Sequence, residues 1–321
     1  MNQLSVAVVG AGMSGAACAD ALARAGAAVT IFDKGRGPGG RMSTRRADTG
    51  HRFDHGSARF MPASSTGKFA DVVKEWADAG VVLRKSYGGT EWFVGAGGMN
   101  AVCKHLVSRD CITQRMSAKI ARLVREPAKW TLVDDANNPY VDFDAVVLTI
   151  PAPQAFDLVP LQYEVTRERI ASIRMKPSWV AMFGFASPVW PEQADHFIVQ
   201  DDHVGAFDVR RSLANTVAEA WVVQANGDWS QTHLELDAKD VLHRLARVTQ
   251  SVFGARWKEP AFASAHRWRY AFVDEPLGES CMAVADDRLI VAGDWCLGWN
   301  VEAAWTSGRE AANIVLKETH G

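Results

Sequence analysis

The chain has 321 residues, of which 48% are hydrophobic and 22% charged, with a formal net charge of −2. This length suits two domains or one elaborate one. The near-neutral balance gives no electrostatic footprint for nucleic acid or an anionic membrane surface, and no apolar run reaches the length of a membrane span.

Five cysteines (Cys18, Cys103, Cys111, Cys281 and Cys296) are an odd number without a C-x-x-C. They read as reduced thiols. Met1–Val9 lacks the charged and apolar regions of a signal peptide, so the expected setting is cytoplasmic. Nine histidines are scattered without a ligand-pair spacing, and no metal site is expected.

In chain order, Gln3–Val9 is a short apolar run that predicts a buried parallel strand. It runs into Gly10-Ala11-Gly12-Met13-Ser14-Gly15, a G-x-G-x-x-G. A small-residue helix follows, with Ala16, Ala17, Ala21, Leu22 and Ala25 on one side and Gly26 at its end. Ala28–Phe32 predicts the second strand, closed by Asp33. Gly10 permits a tight turn, Gly12 a close approach of backbone to a pyrophosphate, and Gly15 close helix–strand packing. The helix start, with Ser14, offers free N–H groups and a partial positive charge. Asp33, 23 residues after Gly10, is placed for the ribose hydroxyls of an adenosine. With strand, helix and acid all in order, the motif has the context it requires.

Lys34–Arg46 brings a second glycine cluster, Gly37-Pro38-Gly39-Gly40, then Arg41 and Met42, among the bases Lys34, Arg36, Arg45, Arg46 and Arg52. Taken alone it is either a phosphate cradle or a flexible basic loop. A nicotinamide dehydrogenase needs only the first cluster, so the two together favour FAD over NAD.

Further on, Arg52–Phe60 predicts a short strand or turn, Thr66–Ala79 a helix, and Trp92–Val94 a brief strand. Gly97-Gly98-Met99 opens a helix to about Val107. Ser117–Arg125, Trp130–Val133 and Ala145–Leu148 predict strands of the first domain. Thr149-Ile150-Pro151-Ala152-Pro153 suits a crossover out of the sheet. The following region predicts strands at Trp179–Phe185, His196–Val199, Ala206–Val209 and Ala220–Gln224. An amphipathic helix is expected over Asp237–Phe253, with Val241, Leu242, Leu245, Val248 and Val252 inward. His266-Arg267-Trp268-Arg269-Tyr270, as a strand, puts His266, Trp268 and Tyr270 on one face. That face is either a substrate- or flavin-facing wall or a half-buried strand of a domain interface. Leu289–Ala292 predicts a last strand before Gly293-Asp294-Trp295-Cys296. A final helix then starts at Asn300-Val301-Glu302, with Asn300 as N-cap.

Four separated signals agree: the first glycine motif with Asp33, Gly39-Gly40-Arg41-Met42, Thr149–Pro153, and Gly293-Asp294-Trp295-Cys296. With His266-Arg267-Trp268 they resemble the bacterial renalase-like branch of the FAD-dependent amine oxidase superfamily, over nearly the whole chain. The resemblance implies an α/β, p-hydroxybenzoate-hydroxylase-like fold, a Rossmann-type FAD-binding domain with an interleaved, mostly-β substrate domain. The expected division is residues 1–75, 105–155 and 274–321 for the former, and 76–104 and 156–273 for the latter. It implies non-covalent FAD, with Gly10, Gly12, Ser14 and Gly15 at the pyrophosphate, Asp33 at the adenosine ribose, and Lys34, Gly40, Arg41 and Met42 along the phosphate side. Gly293 and Asp294 would approach the ribityl chain, and Val301 the pyrimidine end of the ring. His266, Trp268 and Tyr270 are the expected catalytic wall.

The implied reaction takes a hydride from the 2- or 6-dihydro isomers of NAD(P)H and passes electrons to oxygen, giving hydrogen peroxide. The family carries Gly-Ala-Gln-Tyr after its acidic residue. This chain has Gly56-Ser57-Ala58-Arg59, which exchanges an amide and an aromatic side chain. Competing readings are an amine or other small-molecule oxidase of the same fold, with Trp268, Tyr270 and Trp295 as cage aromatics, and a flavin-binding protein without turnover. An NADP-dependent dehydrogenase using Lys34 and Arg36 is opposed by Asp33, whose carboxylate repels a 2′-phosphate.

Overall fold

The computed structural model describes residues 3–87, 90–190, 196–201, 205–214, 219–284 and 287–317. The outermost residues of the expected FAD-binding domain, Met1, Asn2 and 318–321, lie outside them. The chain opens with β1 (Ser5–Val9), α1 (Met13–Arg24) and β2 (Ala28–Asp33). Two hairpins follow, β3 (Thr44–Arg46) with β4 (Arg52–Asp54), and, after α2 (Lys68–Asp78), β5 (Val82–Tyr87) with β6 (Thr90–Gly95). Then come α3 (Ala101–Leu106), β7 (Ile112–Met116), β8 (Ile120–Arg125), β9 (Trp130–Asp134), β10 (Pro139–Phe143) and β11 (Ala145–Leu148). Next are α4 (Ala152–Leu158), α5 (Glu164–Ser172), β12 (Met175–Phe185), β13 (His196–Asp201), β14 (Gly205–Arg211) and β15 (Glu219–Ala225). The chain closes with α6 (Gly227–Thr232), α7 (Ala238–Phe253), β16 (Phe262–Val273), β17 (Cys281–Val284), β18 (Leu289–Ala292) and α8 (Val301–Lys317).

A six-stranded sheet has the order β17-β18-β11-β1-β2-β7, parallel throughout except for the β17 edge. β1 is fully enclosed because Val6, Ala7 and Val8 meet cover on both faces, as a central parallel strand requires. On one face α1 packs against α8. Gly308 makes this possible, since a Cβ there would overlap the Ser14 carbonyl oxygen. β1 is flanked by β2, which follows it directly, and by β11, which returns much later. That switch in order opens the crevice at the carboxyl end of β1 where α/β sheets bind ligands.

β12–β16 build a separate antiparallel sheet, β13-β14-β15-β12-β16, backed by α7. The fold is therefore α/β, a Rossmann-type layer with an interleaved, mostly-β second sheet. Among the described residues no helix is long and apolar enough to cross a membrane.

The structure refines several expectations. Of the strands expected in the first domain, β11 lies in the parallel sheet, while β8 and β9 pair with β10 in a three-stranded antiparallel sheet. The seat at the parallel edge is taken by β7, whose burial pattern has a single fully buried residue, Ile112, and so gave little apolar signal. The strand within 52–60 ends at Asp54. The inner face of α7 is completed by Thr249 and Phe253, while Val252 is only half-buried. All five cysteines are free thiols.

Candidate functional site

The crevice floor is bare backbone. Gly10 has φ +109°, and a Cβ there would press at 2.9 Å on Thr149 and Ile150. A Cβ on Gly15 would overlap the Gly10 carbonyl oxygen, so α1 can follow β1 this closely only with glycine. Gly39 N donates to the Ala11 carbonyl at 2.8 Å, and a Cβ on Gly40 would lie 3.1 Å from Gly12 Cα. The two glycine clusters thus abut and make one surface. Met42 is buried behind it, and Lys34 is exposed beside it.

α1 enters this surface with no side-chain cap at Gly12 and no acidic residue in its first turn. The Ser14 hydroxyl is buried without a hydrogen-bond partner among the described residues. A positive helix end, an unpartnered buried hydroxyl and a cradle of glycines fit an anionic group such as a pyrophosphate. Asp33 organises the rim: Oδ2 accepts from Ala11 N at 2.7 Å and Oδ1 from Gly35 N at 2.6 Å. Each oxygen keeps a lone pair for a further donor.

Arg41 does not stand free toward the cradle. Its guanidinium donates to Asp294 Oδ1 at 2.6 Å and to the Ala271 carbonyl of β16 at 3.1 Å. Asp294 follows Gly293, whose N–H donates to Ser307 Oγ at 2.9 Å. Val301 is buried at the start of α8, and Asn300 Oδ1 accepts from Ala303 N at 2.8 Å as an N-cap. Trp295 is fully buried and donates to the Ile150 carbonyl, so it is a core residue rather than a cage aromatic. The exposed tryptophan of this region is Trp299, edge-on to Phe272 of β16 at 5.8 Å.

The wall at the second sheet is built by β16 and by His55, just after β4. The His266 ring lies 4.4 Å from Trp268 and 4.9 Å from His55, and Trp268 Nε1 donates to the His55 carbonyl at 2.8 Å. Burial, reinforced by the neighbouring His266, lowers the His55 pKa to about 3. Burial and the Arg45 charge lower His266 to about 4. Both imidazoles are neutral near pH 7. Arg267 and Arg269 take the opposite face and hold Glu235. At Tyr270 the ladder is irregular: the pairing of β16 with β12 shifts between Trp268 and Phe272, and Tyr270 makes no ring contact with the cluster among the described residues.

The loop after β4 joins the two halves. Ser57 N donates to the Arg41 carbonyl at 2.8 Å, and Arg210 of β14 donates to the Gly56 carbonyl at 2.8 Å. Arg210 in turn is paired with Asp208. Arg59 lies 4.5 Å over the Trp92 ring. Behind the loop, Asp54 Oδ1 accepts from Thr44 Oγ1 and Met99 N, and burial raises its pKa. His55, Arg210 and Trp299 join the candidate site without having been expected there from the sequence. The step-two spacing of Phe53 and His55 was a usable signal. Arg210 carried none, because its place depends on the sheet's register.

Comparison with known proteins places residues 8–76 in a match to the NAD(P)-binding Rossmann-like domain and residues 79–316 in a match to the flavin containing amine oxidoreductase description. A tRNA 5-methylaminomethyl-2-thiouridine biosynthesis bifunctional protein of Magnetococcus marinus is 28% identical, over 46% of this chain and 30% of that protein. A phytoene desaturase of Fusarium fujikuroi is 43% identical, over 25% of this chain and 14% of that protein. The matched stretch is thus less than a third of the length of either relative. Two solved structures superpose over their full length and that of this chain, each at 13% identity. They are a candidate protoporphyrinogen oxidase from Exiguobacterium, with a TM-score of 0.76, and cyclohexylamine oxidase from Brevibacterium oxydans, with 0.72. At that identity the likeness speaks for the fold.

Proposed function

The chain belongs to the flavin-containing amine oxidoreductase family, and from that premise we propose that it is an FAD-dependent oxidase of dihydronicotinamide dinucleotides. In this reading a 2- or 6-dihydro isomer of NAD(P)H, a proton and oxygen become NAD(P)+ and hydrogen peroxide. The bound flavin supplies the hydride acceptor and the route of the electrons to oxygen.

The protein's own part is to hold and to orient. Gly10, Gly12, Ser14 and Gly15 receive the pyrophosphate at the α1 start, and Asp33 takes the adenosine ribose. Gly40 lines the phosphate side, with Met42 packed behind it, Arg41 next in the chain and Lys34 at its exposed edge. Arg41 acts by fixing Asp294, which with Gly293 faces the ribityl chain. The start of α8 at Val301 lies at the pyrimidine end, where a helix N-terminus favours added negative charge.

The observation that carries the hydride reading is the wall of His55, His266 and Trp268. It offers stacking surface and neutral imidazoles whose low pKa values make them poor bases near pH 7. A dihydropyridine gives up hydride without losing a proton, so it suits such a wall. Trp299 against Phe272 favours a second reading, an uncharged amine held on exposed aromatics. Aerobic incubation with the two isomers and with a panel of amines, following hydrogen peroxide, separates them. Peroxide from an isomer is expected; peroxide from amines alone would replace the first reading by the second.

A further inference from the structure

The β3–β4 hairpin pairs Arg45 with Phe53, and cross-strand partners share a face. Phe53 stacks on Phe262 of β16 at 5.2 Å and packs with Val180, Met182, Ala220 and Val222 of the antiparallel sheet. His55, two residues on, is on the same side, against His266 and Trp268. Arg45 therefore faces the same wall. Thr44 turns the other way, onto Asp54, so that carboxyl group belongs to the opposite side of the hairpin.

Three arginines reach this region. Arg41 is neutralised by Asp294 and Arg210 by Asp208. Arg45 is exposed and has no hydrogen bond, ion pair or ring contact among the described residues. Its charge nevertheless reaches the wall, since it lowers the proton affinity of both His55 and His266. An uncompensated guanidinium at the edge of a neutral, aromatic surface is a geometry for a ligand with a planar body and an anionic end.

We infer that Arg45 anchors an anionic group of the phosphate class on the substrate, while His55, His266 and Trp268 take its planar part. The inference rests on reading that wall as the substrate side, and it deepens the proposed function. A dinucleotide carries such a group, whereas a cationic amine would be repelled.

The test is calorimetric titration of the flavin-loaded protein with inorganic pyrophosphate at low ionic strength, for wild type, R45Q and R45K. Wild type is expected to bind one equivalent. R45Q should bind about tenfold more weakly or worse, and R45K within about threefold of wild type, because the charge is kept. Added salt should weaken wild-type binding. Equal affinity in wild type and R45Q, or no binding by wild type, overturns the inference. Pyrophosphate gives no hydride, so this result is independent of which molecule reduces the flavin. Failure of the isomers as substrates would count against the proposed function and leave the anion site standing.

Discussion

Arg41 and Asp294, 253 residues apart in sequence, are joined by a 2.6 Å ion pair. The pair ties the second glycine cluster to the turn before α8, and through the Ala271 carbonyl it ties both to β16. Its carboxylate is almost enclosed, so removing the guanidinium leaves a nearly buried charge without its partner. Arg41→Ala is expected to cost about 3 kcal/mol and to lower the flavin retained through purification. Arg41→Ala combined with Asp294→Asn should cost less than the sum of the two single changes. Strict additivity in urea unfolding would show that the pair is not coupled.

Ser14 makes the opposite kind of prediction. Its buried hydroxyl has no partner among the described residues, so Ser14→Ala should leave the stability of the flavin-free chain unchanged or slightly raised. Flavin affinity should fall about tenfold to a hundredfold, as for loss of one hydrogen bond to a charged group. Comparison of thermal unfolding without flavin and fluorescence quenching with it checks both halves. Unchanged affinity would remove Ser14 from the cradle.

His55 and His266 set a pH dependence. Their folded pKa values, about 3 and about 4, lie below the ordinary 6.5. The unfolded chain therefore takes up protons first. Stability is fully present above about pH 6.5, falls as the pH drops through that value toward 4 and then 3, and levels off below. His266→Gln should flatten part of this fall. Carbon-13 NMR of the two imidazoles at pH 5 should show neutral rings, and a charged His266 there would contradict the lowered pKa.

Asp54 has its pKa raised, chiefly by burial. The folded protein holds that proton more tightly than the unfolded chain, so this group's contribution declines as the pH rises from the ordinary carboxylate value through the raised one. Both hydrogen bonds that Asp54 accepts go to Oδ1. Asp54→Asn keeps that oxygen and should change stability at pH 7 by under about 1 kcal/mol. Asp54→Ala orphans the Met99 N–H and should cost about 2 kcal/mol. Denaturant midpoints across pH 4 to pH 8 compare the three proteins.

The parts of this fold that the sequence revealed are those with local signals. β1, α1 and β2 are announced by an apolar run, spaced glycines and a terminal acid, α7 by its helical periodicity, and α8 by Asn300 as its cap. What stayed hidden depends on long-range pairing. β7 has polar residues on most of its length and becomes a sheet edge only because β2 offers hydrogen-bonding groups to it. Trp295 and Trp299 are indistinguishable as letters, yet the first is fully enclosed and the second is exposed. The shift in pairing between β16 and β12 around Tyr270 likewise has no local sequence signal.

The most direct measurement is the visible spectrum of the purified, flavin-loaded protein during anaerobic titration with NADH and with its 2- and 6-dihydro isomers. A yellow protein that an isomer bleaches rapidly and NADH slowly is expected. A yellow protein that none of the three bleaches would contradict the dihydronicotinamide reading, and a colourless protein that takes up no added FAD would contradict the flavin site itself.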